Sequence, residues 1–167
     1  MSDLADLNGA PADALRPRLL ALTASPAWAD AVLAARPFED VDALLAASDD
    51  IIADLDESQV DAALAGHPRI GEQADHLDDE SAARSAKEQS GMSQADTAAH
   101  DAMSRGNATY EERFGRIYLV AAAGRSVEDL LSFLHERLAN DPDTELDVVR
   151  SELARITRLR LNDTWED

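Results

Sequence analysis

The stretch SVEDLLSFLHERLA, residues 126–139, shows most clearly how this chain folds. Its apolar side chains recur mainly at intervals of three and four residues and fall within a narrow arc of a helix: Val127, Leu130, Leu131, Leu134 and Leu138. A polar turn, Asn-Asp-Pro-Asp at 140–143, follows directly. The pattern therefore predicts an amphipathic helix over 126–139 that buries one face.

Similar patterns continue along the rest of the chain. Helices are predicted over 11–24, 27–36, 39–54 (in one or two pieces), 59–65, 81–90, from Ser93 and Asp96 to about Arg105, over 108–123 with an interruption at Phe114-Gly115, and over 144–162. Ser58 and Thr144 are expected to be N-caps, and Gly66 is expected to close a helix in the left-handed conformation. Strands with strict alternation, repeats and linkers are missing from the pattern. The sequence therefore predicts an all-α fold, a single compact multi-helix bundle over 1–167.

Composition narrows the classes of function. The 167 residues carry a formal net charge of −19, so the surface repels nucleic acids and anionic lipids. The acidic residues are spread along the chain, which is typical of a solvated surface, with an acidic docking face as the alternative. Cysteine is missing, which excludes disulfides and thiolate chemistry.

Targeting signals are not recognisable in the sequence. The apolar runs are too short to span a membrane, and no basic region followed by an apolar run opens the chain. The closing residues, Thr164-Trp165-Glu166-Asp167, carry no peroxisomal address. A cytoplasmic location is therefore expected.

The segment Gly66-His67-Pro68-Arg69-Ile70-Gly71-Glu72 offers the clearest candidate for catalysis. Its proline forbids continuation of the preceding helix and holds His67 extended. A histidine between a helix-ending glycine and a proline is rigidly presented, and its imidazole can carry or release a proton. Arg69 is expected to anchor this loop by a salt bridge, with a role in a pocket as the alternative.

The last predicted helix carries a charge on its apolar face. Val149, Leu153 and Ile156 repeat at intervals of four and three residues, and the next member of the stripe is Arg160. A guanidinium that faces the core is costly unless something pairs it. From this helix alone, Arg160 is either a structurally paired or snorkelling arginine, or one that binds an anionic ligand in a pocket.

Two further groups of residues are candidates for a binding or catalytic site. On the helix predicted over 81–90, Ser85, Glu88 and Gln89 share one face. Arg113 and Phe114 directly precede a glycine at 115. Taken alone, the first group is typical of a solvated helix face, and the second of one surface residue and one core residue.

Taken together and in this order, these segments resemble those of the 2-oxo-4-hydroxy-4-carboxy-5-ureidoimidazoline (OHCU) decarboxylase family, whose members act last in the route from urate to (S)-allantoin. The matching segments are His-Pro-Arg-Ile-Gly-Glu at 67–72, Ser-x-x-Glu-Gln at 85–89, Asn-x-x-Tyr-x-x-Arg-Phe-Gly at 107–115, Ala-Gly-Arg-Ser at 123–126, Arg-Leu-Ala-Asn-Asp at 137–141 and Ile-x-x-x-Arg-Leu at 156–161. The resemblance extends from the first helices to residue 161. Its departure is the acidic stretch 73–84, which has no aromatic before Ser85 and leaves the geometry of that loop open.

The resemblance implies roles for individual residues. His67, Glu88 and Arg160 match the family's catalytic histidine, its catalytic glutamate and the arginine that reaches the ligand from the final helix. Five further positions match residues that line the ligand pocket, namely Pro68, Ser85, Gln89, Arg113 and Phe114, and Ile117 is expected to lie near this pocket as a further substrate-binding residue. The resemblance also implies an all-α fold that uses neither a metal nor an organic cofactor.

The chemistry of the family's substrate agrees with this expectation. The carboxylate leaves from a carbon next to a ring C=N, which accepts the electron pair, so pyridoxal, thiamine or a metal is not required. The remaining histidines, His76, His100 and His135, show no convincing metal-ligand spacing. The expected partner is therefore a small anionic substrate, bound by an anion clamp beside a group that moves protons.

Two alternative functions stay open. The chain is either a non-catalytic acidic helical interaction module, or a related decarboxylase that acts on another ureido or imidazoline acid. Arg160 argues against the module, because a docking helix gains nothing from a buried cation. The oligomeric state is open, since an apolar helix face left over by the bundle could form a homodimer. The order in which His67 and Glu88 transfer protons is open as well.

Overall fold

The computed structural model describes residues 1–70 and 97–167, and helices dominate both ranges. Eight helices lie within them: α1 (Leu4–Gly9), α2 (Ala12–Leu22), α3 (Pro26–Ala34), α4 (Val41–Ala53), α5 (Glu57–Leu64), α6 (Thr97–Phe114), α7 (Val127–Leu138) and α8 (Pro142–Thr164). Two short strands, β1 (Ser2–Asp3) and β2 (Trp165–Glu166), pair in parallel. The all-α class predicted from the sequence is confirmed. Among the described helices, none combines the length and the hydropathy needed to cross a membrane.

Residues 1–66 and 150–167 form one compact unit, which contains α1 to α5, both strands and the carboxyl-terminal part of α8. The two ends of the chain meet here, with Ser2 opposite Trp165 in the strand pair. Its large buried side chains come from every long helix of the unit and include Leu15, Leu19, Trp28, Leu44, Ile52 and Leu153. Burial of these apolar faces stabilises the unit, as the amphipathic patterns predict.

Buried polar groups in this unit bond across its elements. The hydroxyl groups of Thr23 and Thr157 lie 2.6 Å apart, and Trp28 Nε1 donates to Ser48 Oγ at 3.0 Å. A buried polar group without a hydrogen-bond partner destabilises the fold, so such pairs favour the packing arrangement in which both groups are bonded.

Residues 67–149 form the other compact unit, whose described part is 67–70 and 97–149 and contains α6, α7 and the beginning of α8. Its core is built from both helices and from the segments that adjoin them: Ile70, Met103, Tyr110, Tyr118, Val120, Leu130 and Leu134. A Cβ atom at Gly106 would lie 2.2 Å from Leu134 Cδ2, so α6 and α7 approach closely at this point. The absence of a side chain at Gly106 is therefore a packing requirement.

The predicted helices agree with the structure in position over much of the described chain. The ends of α2, α3, α4, α5, α7 and α8 lie within two residues of the predicted ends. Helix α1 and the strand pair were not predicted. The predicted helix over 81–90, the start at Ser93 and Asp96, and the acidic stretch 73–84 lie outside the described residues. The single-domain organisation stays a prediction.

Both predicted N-caps are wrong. Asp56, and not Ser58, caps α5, because its carboxylate accepts from the Gln59 amide at 2.8 Å while the Gln59 side chain accepts from the Asp56 amide. Asp141, and not Thr144, caps α8, since its carboxylate accepts from the amide and the hydroxyl of Thr144. In both helices the group that accepts from the free backbone amide is an aspartate carboxylate three residues before that amide, which is the usual position of an N-cap.

The prediction that Gly66 adopts the left-handed conformation is also wrong. Among the described glycines, positive φ occurs at Gly115 and Gly124. At Gly66 a Cβ atom would instead lie 3.3 Å from Ala24 Cβ, so the glycine provides room for close packing. The loop after α5 therefore begins without a left-handed residue.

The largest difference from the predicted helices lies between residues 105 and 123. Helix α6 runs without a break through Gly106 and Asn107, where the sequence predicts a separation between two helices. The chain then leaves the helix at Gly115, which has a φ of 75°, and residues 117–122 are neither helix nor strand. Most of their side chains are buried, so this apolar run forms an irregular segment within the core of the second unit.

Candidate active site

His67 lies three residues after the end of α5, at the start of the second unit. Only 8% of its surface is exposed, and Pro68 is buried as well. The proline ring fixes its own φ and restricts the backbone of the histidine before it. The imidazole is therefore largely out of bulk water and is attached to a backbone with few alternative conformations, which suits a group that transfers protons.

Two side chains of α6 bind the loop that carries His67. Arg69 donates from Nε and Nη2 to the carboxylate of Glu111 at 2.7–2.9 Å, which confirms the anchoring salt bridge expected there. One turn earlier on the helix, Asn107 Nδ2 donates to the carbonyl of Ile70 at 3.1 Å. The backbone that follows His67 is thus fixed to α6 at two successive residues.

Helix α6 ends with two residues predicted to line the ligand pocket. The ring of Phe114 packs on Tyr110 with 4.7 Å between centroids, and the guanidinium of Arg113 lies 5.0 Å from the Phe114 centroid. Arg113 Nη2 also donates to the carbonyl of Asn140 at 2.8 Å. Gly115 then turns the chain away at a positive φ, which a residue with a side chain adopts only at a cost.

Ile117, half-buried, begins the irregular segment 117–122. Backbone groups buried in such a segment need partners from elsewhere in the structure. Arg137 Nη1 donates to the carbonyl of Leu119 at 2.6 Å, and the hydroxyl of Tyr118 donates to the carbonyl of Leu130 at 3.0 Å. Side chains and backbone of α7 therefore fix this segment beside the helix.

The guanidinium that holds Leu119 belongs to a buried ion pair. Arg137 is 1% exposed and Glu145 0%, and Arg137 Nη2 lies 2.6 Å from Glu145 Oε2. The hydroxyl of Tyr110 donates to the same oxygen, and Asn140 Nδ2 donates to Oε1 at 3.2 Å. One carboxylate thus accepts hydrogen bonds from three side chains, which come from α6, α7 and the turn before α8.

Aromatic rings surround the guanidinium of this pair. Its carbon lies 4.8 Å from the ring centroid of Tyr118, 5.3 Å from that of Phe133 and 5.5 Å from that of Tyr110. Ring faces attract a cation, most strongly where water is excluded. The rings therefore stabilise the charge of Arg137 in addition to the carboxylate.

Burial and pairing shift the pKa values of Tyr110 and Arg137. Burial raises the pKa of the Tyr110 hydroxyl, so the group stays a hydrogen-bond donor. Burial by itself would lower the pKa of Arg137, but the hydrogen bond to Glu145 and the attraction of neighbouring groups outweigh it and raise that pKa. Near neutral pH the Tyr110 hydroxyl is therefore neutral and the Arg137 guanidinium is charged.

Arg160 lies in the first unit, on the carboxyl-terminal part of α8. Only 4% of its surface is exposed, and Leu153 and Ile156 on the same stripe are buried too, so the predicted position on the apolar face is confirmed. Its Nη1 donates to the carbonyl of Leu22, the last residue of α2, at 2.7 Å. A guanidinium held out of water in this way binds carboxylates strongly.

The structure assigns the predicted site residues to different parts of the molecule. His67, Pro68, Arg113, Phe114 and Ile117 belong to the second unit, and Arg160 belongs to the first. The other three predicted residues, Ser85, Glu88 and Gln89, lie outside the described residues. That His67, Glu88 and Arg160 act on one ligand therefore stays a prediction.

Sequence reasoning missed the buried pair of Arg137 and Glu145, although a signal was present. Arg137 follows Leu130 and Leu134 at the four- and three-residue intervals of the apolar stripe of α7. Glu145 precedes Val149 by one turn on the stripe of α8. Both residues thus lie on apolar stripes as Arg160 does, and two opposite charges on neighbouring apolar faces predict a buried ion pair.

Comparisons with known proteins bear on the whole chain. The family model described as OHCU decarboxylase matches residues 8–162. The chain is 31% identical over 139 residues to "2-oxo-4-hydroxy-4-carboxy-5-ureidoimidazoline decarboxylase" of Amia calva, which covers 83% of this chain and 79% of that protein. It is 32% identical over 107 residues to "Uric acid degradation bifunctional protein TTL" of Arabidopsis thaliana, covering 63% of this chain and 33% of that protein. The chain thus spans about a third of the length of the bifunctional relative.

A solved structure has the same fold. The "Crystal structure of OHCU decarboxylase in the presence of (S)-allantoin" superposes with a TM-score of 0.74 and 22% sequence identity. The superposition covers 87% of this chain and 95% of that chain. The helical architecture described above is therefore shared along nearly the whole of that protein.

Proposed function

Since the chain belongs to the OHCU decarboxylase family, we propose that it removes carbon dioxide from OHCU in the degradation of urate and releases (S)-allantoin. The match of the family model over residues 8–162 carries the proposal. The burial of His67 and Arg160 supports it, because both match functional positions of the family and both are held out of bulk water. A buried guanidinium also suits an anionic substrate better than it suits a helix that only docks to a partner.

The reaction balances without an external electron acceptor. The carbon that bears the carboxylate also bears a hydroxyl group and adjoins a ring C=N. When the bond to the carboxylate breaks, its electron pair forms a C=C bond, and the π pair of the C=N moves to nitrogen, which takes up a proton. The enol then releases its hydroxyl proton and takes up a proton at the former imine carbon. Delivery of that proton to one face gives one enantiomer.

In this proposal His67 and Glu88 transfer the protons. One of them accepts the hydroxyl proton of the substrate or steers the departure of the carboxylate, and the other protonates the new stereocentre. Pro68 fixes the backbone of His67, so the imidazole meets the substrate in a constant orientation. The salt bridge between Arg69 and Glu111 supports this role, because it keeps the loop from moving away.

Arginine side chains bind the anionic part of the substrate. The forked donors of Arg160, together with those of Arg113, match the geometry of a carboxylate or a ring carbonyl. They create a local positive site in a protein whose formal net charge is −19, which offsets the repulsion that an anion otherwise meets. Ser85 and Gln89 bind the ureido and ring carbonyl groups.

Apolar side chains exclude water from the carboxylate. Phe114 and Ile117 form this wall in the proposal, and the packing of Phe114 on Tyr110 at 4.7 Å supports a fixed position for the ring. A carboxylate that has lost part of its hydration is less stable relative to carbon dioxide. The wall therefore favours the bond cleavage as well as the binding.

A rate measurement tests the proposal. OHCU is generated from urate with urate oxidase and a hydrolase, and its disappearance is followed with and without this protein. We expect carbon dioxide release above the spontaneous rate and in proportion to the protein concentration. A rate equal to the spontaneous one contradicts the proposal. A panel of other ureido and imidazoline carboxylic acids tests the related-decarboxylase alternative, which faster turnover of another acid favours.

A further inference from the structure

We propose that Glu145 is a positioning residue, whose buried carboxylate holds in place the chain segments that line the substrate pocket. Those segments carry Arg113, Phe114 and Ile117. The inference rests on the proposed function, since these three residues are pocket residues in that proposal. Three links, each of which begins with a hydrogen bond to the carboxylate, lead to the segments that carry them, all within the second unit.

The first link leads to Phe114 through Tyr110. The hydroxyl of Tyr110 donates to Glu145 Oε2, and the ring of Tyr110 packs on Phe114 with 4.7 Å between centroids. The hydrogen bond at its hydroxyl restrains the position of the Tyr110 side chain. The carboxylate therefore fixes the surface on which Phe114 rests.

The second link leads to Arg113 through the turn between α7 and α8. Asn140 Nδ2 donates to Glu145 Oε1 at 3.2 Å, and the carbonyl of the same asparagine accepts from Arg113 Nη2 at 2.8 Å. Arg113 is exposed, and an exposed arginine has many side-chain conformations unless something holds it. The turn fixes one end of this side chain, and Glu145 fixes the turn.

The third link leads to the segment that begins with Ile117. Arg137 pairs with Glu145 through Nε and Nη2, which leaves Nη1 directed at the carbonyl of Leu119 at 2.6 Å. The two bonds to the carboxylate fix the orientation of the planar guanidinium of Arg137. Its third donor group, Nη1, therefore points at the carbonyl of Leu119 and holds that part of the backbone. The irregular segment thus has its position fixed from α8.

Stability alone is a weak reason for such a cluster. Well-packed apolar side chains often stabilise a core as well as a buried ion pair does. The bonds of Glu145 instead lead, each through one intermediate residue, to Phe114, to Arg113 and to the segment that begins with Ile117. Such an arrangement is expected of a residue that positions the side chains of a binding site.

Two variants remove one link each and leave the ion pair intact. Tyr110→Phe deletes the hydroxyl that Glu145 accepts from, and Asn140→Ala deletes the amide. We expect KM for OHCU to rise about 5-fold in each, the factor that corresponds to one lost hydrogen bond. With Asn140→Ala the kcat should stay nearly constant, because Arg113 binds the substrate and other residues transfer protons. With Tyr110→Phe the kcat should fall as well, because Phe114 also favours the bond cleavage in the proposal. Loss of the folded fraction alone would lower kcat and leave KM unchanged.

Ser48→Ala is the matched control. It also removes one buried hydroxyl group, which accepts from Trp28 Nε1 in the first unit, and none of the three links involves it. Both KM and kcat should equal those of the wild type at a temperature where all the variants are folded. A rise in KM with Ser48→Ala as large as that of the other two would overturn the positioning role.

Glu145→Gln removes the charge that all three links share. In the folded variant we expect a larger rise in KM and faster hydrogen–deuterium exchange in residues 113–122. If this variant does not fold, Tyr110→Phe and Asn140→Ala decide the matter. Wild-type turnover of OHCU with unchanged KM in both of them overturns the positioning role alone. An inactive wild type overturns the proposed function, and the positioning role with it.

Discussion

At the scale of single residues, His67 is the group on which the proposed proton transfers depend. His67→Asn keeps a polar side chain of similar size that cannot transfer a proton, so we expect kcat to fall by about 100-fold or more. The helix content measured by circular dichroism should not change. His135→Asn is the control, because this exposed histidine of α7 lies outside the proposed site. Wild-type turnover by the His67 variant would contradict its role.

Arg160 provides a second test at this scale. Arg160→Lys keeps the positive charge but loses the planar fork, so we expect KM for OHCU to rise about 10-fold. Arg155→Lys on the same helix is the control, since 60% of that side chain is exposed. Steady-state kinetics on both variants at equal folded fraction give the comparison. Equal KM values would rule out forked binding by Arg160.

The burial of Arg160 could be predicted, because a helix fixes the direction of each side chain relative to its neighbours on the stripe. The contact of Asn107 with the carbonyl of Ile70 could not, since the two residues are 37 positions apart and no local pattern encodes such a pair. The bond from Arg113 to the carbonyl of Asn140 is a similar case. Residue identity predicts which groups need partners, and the fold decides which partners they find.

At the scale of elements, the close approach of α6 and α7 gives a stability prediction. A Cβ at Gly106 would overlap Leu134 Cδ2, so overpacking in Gly106→Ala destabilises the fold by about 1–3 kcal/mol. The higher helix propensity of alanine offsets up to about 1 kcal/mol of this loss. We expect a net loss in the free energy of unfolding, measured by urea denaturation. Gly9→Ala in α1 is the control, since among the described residues no heavy atom lies within 4 Å of its Cβ position. A Gly106 variant at least as stable as the wild type would refute the packing requirement.

The first turn of α8 gives a prediction about pH. Hydrogen bonds from the Thr144 amide and hydroxyl lower the pKa of Asp141 below its ordinary value of 3.8. Because the folded pKa lies below the unfolded one, the stabilisation is complete above the unfolded value and is lost as the pH falls through the folded one. Asp141→Asn keeps an uncharged acceptor, so its acid unfolding should show a smaller loss of stability below about pH 4. Identical pH profiles would contradict this cause.

The elements that were predicted correctly are those whose burial follows one simple stripe. The ends of α2 to α5 and of α7 agree within two residues for this reason. Gly106 and Asn107 suggested a break, but packing against Leu134 and bonding to Ile70 keep the helix continuous. Residues 117–122 were wrongly predicted to be helical. An apolar segment that is buried without regular structure has no characteristic spacing of apolar residues, so the sequence does not distinguish it from a buried helix. Gly115 and the bond from Arg137 to Leu119 decide its conformation.

At the scale of the whole molecule, the formal net charge of −19 dominates the electrostatics. Raising NaCl from about 0.01 M to about 1 M shortens the screening length from ~30 Å to ~3 Å, which weakens the repulsion within the folded chain. We therefore expect the Tm to rise over this range in a thermal scan. KCl at the same ionic strength should give the same rise, because screening does not depend on the cation. A falling Tm would show that repulsion does not limit stability.

The central claim is that this chain decarboxylates OHCU and protonates the product on one face. Circular dichroism of the allantoin, recorded while OHCU is consumed, tests it most directly. With the wild-type protein we predict the S enantiomer, formed in proportion to the protein concentration, and with His67→Asn a racemic product at the spontaneous rate. Racemic allantoin formed at the spontaneous rate in the presence of the wild-type protein would contradict the claim.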